Sequence, residues 1–346
     1  MGNLRFTTVL KKTSKPCLIF NFMSKQFTLA DTFFQQWDRG DKLFELSTSG
    51  TTGLPRKIRH RRDALIWSAE ATRTAWFDDP IFHPLSQLCC LPVDKAGGMM
   101  QLVRSRVWGA PLYLVEPSSN PLLTEFHPSQ ITSLTPMQLE AVVENPISSQ
   151  KLSNFRAVLI GGQALNPILE MHLLKTFPMV QFIHTFGSTE TASHFAGRLI
   201  GSADSIFTVI GSTQIRVNTQ NELEISNPST QEKWITTHDL VEITSPKSFR
   251  WLGRSNCVVN SGGLKIQLEM LEKEIAMISG WPINSFCCFG IPDTLLGEKL
   301  MLRTLERKDS IEEIFTVLSV LPTVHQPKGI VIVKEIPLTV TGKIRR

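Results

Sequence analysis

Short apolar runs alternate with amphipathic ones through the first half of this chain, and that alternation constrains its fold more than any other feature. Gln87 to Leu91 is followed by Met99 to Val107 and then by Leu112 to Val115; further on, Arg156 to Ile160 precedes Pro167 to Phe177. Short apolar runs suit buried strands, and the segments between them have the spacing of amphipathic helices. Strands alternating with helices predict a layered α/β fold. After the run ending at Ile160, Gly161 and Gly162 supply a tight turn, and Asn166 with Pro167 supplies a helix N-cap and first helical position. Helix starts at the carboxyl ends of strands are where open α/β sheets collect ligands.

The texture changes after Gly211. Gln214 to Val217 and Glu222 to Ile225 read as short strands separated by turn residues, the pattern of a β-rich subdomain. Two amphipathic helices follow, around 268–278 and 310–320, and then a strand from Gly329 to Val333. Trp251-Leu252-Gly253-Arg254 is the expected hinge. It divides the chain into a large domain of layered α/β sheets with the β-rich subdomain, residues 1–253, and a small mobile α+β domain, residues 254–346. A chain of 346 residues, 42% hydrophobic and 19% charged, can build a sizeable core in each.

Bulk properties narrow the classes further. The longest uncharged stretch, Ile275 to Pro292, is interrupted by Gly280, Pro282 and Asn284, so no membrane span is expected. Lys11, Lys12 and Lys15 stand where a signal peptide needs apolar residues, and Phe6 breaks the myristoylation pattern, which leaves the chain in a cytoplasm. Six cysteines, at 17, 89, 90, 257, 287 and 288, contain no Cys-x-x-Cys pair, and buried reduced thiols are expected. The net charge of +5 is mild, but Arg56-Lys57-Ile58-Arg59-His60-Arg61-Arg62 concentrates positive charge. Without aromatic interleaving or a second basic stripe, the run reads as a solvated face beside an anion-binding loop, with a nucleic-acid patch as the alternative.

That loop is Ser47-Thr48-Ser49-Gly50-Thr51-Thr52-Gly53-Leu54-Pro55-Arg56-Lys57. Its glycines admit backbone N–H groups to an anion, its hydroxyls add donors, and Arg56 or Lys57 can offset phosphate charge. Pro55 stands where a Walker A motif needs glycine, so the spacing is a different one. A flexible polar linker is the plainer alternative. Leu43 to Leu46 before the loop reads as a buried strand, and the run from Asp63 after it opens a helix.

Four further motifs carry candidate chemistry. In His184-Thr185-Phe186-Gly187-Ser188-Thr189-Glu190, a carboxylate follows a glycine turn and can hold Mg²⁺ near a phosphate loop; alternatively Glu190 favours the positive end of a helix dipole. Ile235 to Leu240 ends a strand on Asp239, which can accept both ribose hydroxyls or simply sit in a turn. Gly253-Arg254 and Ser261-Gly262-Gly263-Leu264-Lys265 combine cations with a glycine turn that is either a close-approach site or a simple hairpin. Thr341-Gly342-Lys343 delivers an ammonium on a loop, or is a frayed basic tail.

Taken in order, these motifs resemble those of the adenylate-forming acyl-CoA synthetase superfamily over residues 43–346. Leu91-Pro92, Lys95, Gly97-Gly98-Met99-Met100, Arg104, Pro136 to Leu139, Thr189 to His194 and Asn260 to Gly263 resemble more closely the bacterial o-succinylbenzoate-CoA ligases of menaquinone biosynthesis. The resemblance also implies relatives that start only a few dozen residues before the phosphate loop. It implies an enzyme that joins a small carboxylic acid to CoA by way of an acyl-adenylate, using ATP and Mg²⁺.

On this resemblance Thr48, Ser49, Gly50, Thr51, Thr52 and Gly53, with Lys57, hold the β- and γ-phosphates, and Glu190 binds the metal. Gly162, Gln163, Phe186, Gly187, Ser188 and Thr189 belong to the nucleotide site. Asp239 takes the ribose hydroxyls with help from Arg254, and Lys343 serves adenylation. Asn256 is the hinge, and Gly262, Gly263 and Lys265 form the loop used at the thioester stage. Gly98, Arg104, Ser193 and His194 are the acid-binding candidates, Arg104 because a guanidinium fits a carboxylate bidentately. No nucleic acid is expected as partner, and a homo-oligomer is compatible with the sequence. Another acid, or a nucleotide-binding relative without catalysis, are the competing readings. Departures from the family pattern are Asn256 and Cys257 near the hinge, His238 in place of glycine before Asp239, Phe186 in place of tyrosine, Arg56 in place of lysine and Lys95 in place of histidine.

Overall fold

The computed structural model describes residues 24–47, 57–79, 85–202, 205–337 and 344. They form two compact units. Residues 24–47, 57–79, 85–161 and 179–195 belong to the first, and 162–178 and 205–337 with 196–202 to the second. The sequence-expected boundary at 253/254 lies within the second unit.

In the first unit, α1 (Lys25–Arg39) precedes a two-stranded antiparallel ribbon of β1 (Leu43–Ser47) and β2 (Lys57–Arg61). β1 is half-buried, contrary to the expectation of a buried strand. Leu43 and Glu45 face solvent while Phe44 and Leu46 enter the core, because a lone ribbon has one face to bury. After α2 (Arg62–Trp76) come β3 (Gln87–Cys89), α3 (Ala96–Trp108), β4 (Leu112–Leu114), β5 (Ile131–Leu134), α4 (Pro136–Glu144), α5 (Pro146–Leu152), β6 (Ala157–Ile160) and β7 (Gln181–Gly187). Strands β3 to β7 pair in parallel in the order β4-β3-β5-β6-β7, as the alternation predicts. β5 and β6 are buried at every position, the signature of strands covered on both faces. The aromatic side of α1 (Phe27, Phe33, Phe34, Trp37) packs with Phe44, Leu65, Met100 and Leu102 in one core cluster.

In the second unit, α6 (Pro167–Thr176) starts as expected, with the Asn166 side chain accepting from the Ile168 N–H and Pro167 at the first position. β8 (His194–Leu199) begins in the first unit and continues here. It joins β9 (Ile206–Val209), β10 (Gln214–Val217), β11 (Glu222–Ser226), β12 (Ile235–Ser245) and β13 (Ser248–Arg254) in an antiparallel order β10-β11-β12-β13-β9-β8. A second sheet contains β14 (Val258–Ser261), β15 (Leu264–Gln267), β16 (Phe286–Asp293) and β17 (Gly297–Leu305), with β18 (Ile330–Val333) parallel to β17. α7 (Leu268–Ser279) and α8 (Ile311–Leu318) cover it through Leu271, Ile275, Ile314 and Leu318.

Among the described residues no helix is long and apolar enough to cross a membrane. Cys89, Cys90, Cys287 and Cys288 are buried, and burial pushes the Cys90 thiol up to about 12. Cys257 is half-buried, a departure from the expectation that all are buried; Cys17 lies outside the described residues.

Candidate active site

The phosphate-loop residues Thr48, Ser49, Gly50, Thr51, Thr52, Gly53 and Arg56, and the terminal Lys343, lie outside the described residues. The basic run beyond the loop is visible from Lys57 onward, and its charges are largely paired. Lys57 and Arg59 on β2 reach Glu45 across the ribbon, at 2.6 and 3.5 Å. Arg61 pairs with Asp63, and the Arg62 guanidinium lies 4.0 Å from the Trp37 ring centroid while donating to the Trp37 carbonyl. His60, on the opposite face of β2, is buried and its Nε2 lies 2.7 Å from the Thr189 carbonyl oxygen. Strand alternation followed by a helix start therefore splits the run into separate contacts.

β7 delivers Phe186 and Gly187 to a turn formed by Ser188, Thr189, Glu190 and Thr191. Phe186 packs edge-on to Phe195 at 5.7 Å. A Cβ at Gly187 would lie 2.2 Å from the Ser193 carbonyl oxygen, so only glycine lets the returning chain pass so closely. The Ser188 N–H donates to Thr191 Oγ1 at 2.9 Å, and that hydroxyl lies 2.6 Å from the Ser193 carbonyl oxygen. Glu190 is exposed, and among the described residues no hydrogen bond or ion pair ties its carboxylate. No helix follows it; the turn leads directly into β8, which removes the helix-dipole reading.

The acid-binding candidates Arg104, Ser193 and His194 come together inside the first unit. Arg104 projects from α3 with 3% of its surface exposed. Its Nη2 donates to Ser193 Oγ at 3.2 Å, its Nε makes no hydrogen bond, and among the described residues no carboxylate pairs with it. Burial lowers its pKa to about 10. His194 Nδ1 lies 3.4 Å from Ser193 Oγ, and its Nε2 lies 2.9 Å from Thr72 Oγ1. The Thr72 hydroxyl donates to the Ser68 carbonyl at 2.8 Å, so it accepts from His194 Nε2–H, and the bare Nδ1 accepts from Ser193. The donors thus run in one direction, Arg104 to Ser193 to His194 to Thr72. Burial first, and the Arg104 charge second, hold the His194 pKa well below 6.5, so the ring is neutral. Trp76, one turn beyond Thr72 on α2, packs against the ring at 5.3 Å. Sequence reading missed Thr72 and Trp76; their four-residue spacing on an amphipathic helix was the available signal. Gly98 is buried in the first turn of α3, where a Cβ would lie 2.2 Å from the Pro92 carbonyl oxygen.

In the second unit Asp239 and Arg254 are cross-strand partners on β12 and β13. Arg254 Nε donates to Asp239 Oδ1 at 3.3 Å, and Trp251 Nε1 donates to the same oxygen at 3.0 Å. Asp239 Oδ2 has no partner among the described residues. Asp239 does not end a strand: β12 runs on to Ser245, with His238 inside it in the left-handed region at φ 60. The His238 imidazole lies 3.1 Å from Glu222 Oε1, which also accepts from Ser255 at 2.6 Å; the Ser255, Asn218 and His238 bonds hold the Glu222 carboxyl down at about 2. Gly162 is exposed at φ 93, and Gln163 beside it is half-buried. Gly262 and Gly263, both with positive φ, form the two-residue turn of the β14–β15 hairpin, with exposed Lys265 just beyond. Asn256 lies in the turn between β13 and β14.

Comparison with known proteins identifies the family. The family model of the AMP-binding enzymes matches residues 23–233. A 2-succinylbenzoate–CoA ligase of Listeria monocytogenes serotype 4b (strain F2365) is 26% identical, over 92% of this chain and 73% of that protein. The ligase is thus longer than this chain. The solved acyl-CoA synthetase (AMP-forming)/AMP-acid ligase II-like protein from Dyadobacter fermentans DSM 18053 is 32% identical over 93% of each chain, with a TM-score of 0.63. The o-succinylbenzoate CoA synthetase from Bacillus subtilis, solved with its acyl-adenylate intermediate, shares the fold at a TM-score of 0.73 and 19% identity, over 87% of this chain and 67% of that one. With a family model spanning most of its length, the chain belongs to the AMP-binding enzymes.

Proposed function

We propose that this protein is an ATP-dependent o-succinylbenzoate-CoA ligase. The observation that carries the choice of acid is Arg104, a buried guanidinium with an unused donor and no counter-charge among the described residues. Leaving such a charge uncompensated is costly, and a substrate carboxylate relieves the cost. o-Succinylbenzoate has two carboxylates: one is activated, and the other remains to meet Arg104 and the Ser193 hydroxyl. The similarity to 2-succinylbenzoate–CoA ligases over most of the chain supports the same acid.

The first step joins a carboxylate oxygen to the α-phosphorus of ATP as pyrophosphate leaves; in the second the CoA thiol attacks the acyl carbon and AMP leaves with the electron pair of the broken bond. Asp239 fits the nucleotide, because its Oδ1 is engaged by Arg254 and Trp251 while Oδ2 is available to ribose hydroxyls. Glu190, exposed and untied at the β7–β8 turn, fits Mg²⁺, which takes a carboxylate or two together with substrate phosphates. The metal supplies charge neutralisation on those phosphates. In this reading Phe186, Gly187, Gly162 and Gln163 flank the adenine, residues 48–53 hold the outer phosphates, and Lys343 serves adenylation. Residues 254–346 then act as the small domain, turning at Asn256 to bring the Gly262-Gly263 hairpin and Lys265 to the thioester step.

Pyrophosphate release with ATP, Mg²⁺ and a panel of aromatic and aliphatic acids, with and without CoA, tests the proposal. Fast release with o-succinylbenzoate and slow release with benzoate and with fatty acids is expected. Equal turnover of monocarboxylates would sink the assignment of the acid, and no release with any acid would sink the reading as a ligase.

A further inference from the structure

Side chains on a β-strand alternate between faces, so Trp251 and Arg254, three residues apart, should point to opposite sides of β13. Both nevertheless reach Asp239 Oδ1, at 3.0 and 3.3 Å. The register explains it. Asp239 pairs with Arg254 and Leu240 with Gly253, but Val241 pairs with Trp251, so Leu252 is an extra residue in a bulge. A bulge resets the alternation beyond it and re-aims the side chains there. Gly253 permits it at φ 118, and a Cβ at that position would come within 2.3 Å of the Gln267 side chain.

We propose that Trp251 is a positioning residue for nucleotide recognition, brought by this bulge to hold the Asp239 carboxylate so that Oδ2 is presented to the ribose. The inference rests on the reading that Asp239 takes the ribose hydroxyls. Two donors converging on one oxygen fix the plane of the carboxylate, where one would leave it free to rotate. The indole is itself held: the Lys273 ammonium on α7 lies 4.4 Å from its ring centroid. The backbone of Arg254 is pinned independently, its N–H donating to Glu269 at 2.8 Å and its carbonyl accepting from Gln267 at 2.6 Å. Trp251 therefore supplies the second donor that completes the aim, which Arg254, half-exposed and held mainly through its backbone, does not fix alone.

Trp251→Phe keeps an aromatic ring for Lys273 and removes the N–H together with the five-membered ring that carries it, and a dideoxy ligand controls for the lost packing. Calorimetric titration with AMP and with 2′,3′-dideoxy-AMP reads the effect without turnover. The wild-type protein is expected to bind AMP more tightly than the dideoxy compound. In Trp251→Phe, AMP binding weakens about fivefold, the worth of one ordinary hydrogen bond, while dideoxy-AMP binding is unchanged. AMP affinity equal to wild type, or equal weakening of both ligands, overturns the role of Trp251. A wild-type protein that does not discriminate between the two ligands overturns the ribose reading of Asp239 itself.

Discussion

The candidate arginines of the two units are held in opposite ways. Arg104, in the first unit, is buried to 3% exposure with a hydroxyl as its hydrogen-bond partner and, among the described residues, no carboxylate. Arg254, in the second, is half-exposed and already faces Asp239. A paired cation at a surface adds little net energy and serves to orient its partner. An unpaired buried cation is a cost to the fold, and its presence is explained when it binds an anion from outside. The first arginine thus reads as a receptor for charge and the second as part of a device for aiming a carboxylate.

The largest test of this contrast is Arg104→Met. The KM for o-succinylbenzoate should rise by about two orders of magnitude, the ~3 kcal/mol of a strong charge-assisted pair, with kcat much less affected. The thermal midpoint should hold or rise, because an uncompensated charge has left the core. An unchanged KM, or a large fall in stability, breaks the contrast. Next in size is Gly253→Ala in the second unit. Strain at φ 118 and the collision with Gln267 should cost at least ~2 kcal/mol in urea unfolding.

A pH dependence sharpens the first half. His194 is held well below 6.5 in the folded chain, by burial first and by Arg104 second. The unfolded chain binds that proton near the ordinary value, so its contribution to stability is intact above about pH 6.5 and is lost as pH falls below it, at up to ~1.4 kcal/mol per pH unit. His60, also lowered by burial, acts in the same direction. Urea unfolding at about pH 7.5 and about pH 5.5 should show the loss. His194→Gln should flatten the slope, and an unflattened slope would exclude this source. Smallest is Thr72→Val, which strands His194 Nε2–H and should cost about 1 kcal/mol with a modest rise in KM for the acid. A change in AMP affinity of the same size would show that the effect is not confined to the acid pocket.

The strand–helix alternation, the Asn166 cap and the glycine hairpin at Gly262-Gly263 were all legible, because each is a local preference that the core reinforces. β1 was misjudged because periodicity over four residues does not show how many faces a strand will cover. Asp239 was found by its neighbours in sequence, but its place within β12 was not: how far the strand runs beyond it is set by pairing with β13. The basic run from Lys57 was legible as charge and illegible as contacts, since Glu45 and Trp37 that absorb much of it lie on other elements.

The sequence by itself determined the strand–helix alternation of the first half, the α/β class, and the residue types that could handle phosphate, ribose and acid. Those follow from local preferences and from motifs whose members stand close along the chain. Only the tertiary structure decided that Arg104 meets Ser193 across 89 positions and that Thr72 meets His194 across 122. It alone placed Trp251 on Asp239, through a one-residue bulge that strand periodicity cannot reveal. The reason is common to all three: what a buried polar side chain touches depends on packing and register, and neither is a property of a segment taken alone.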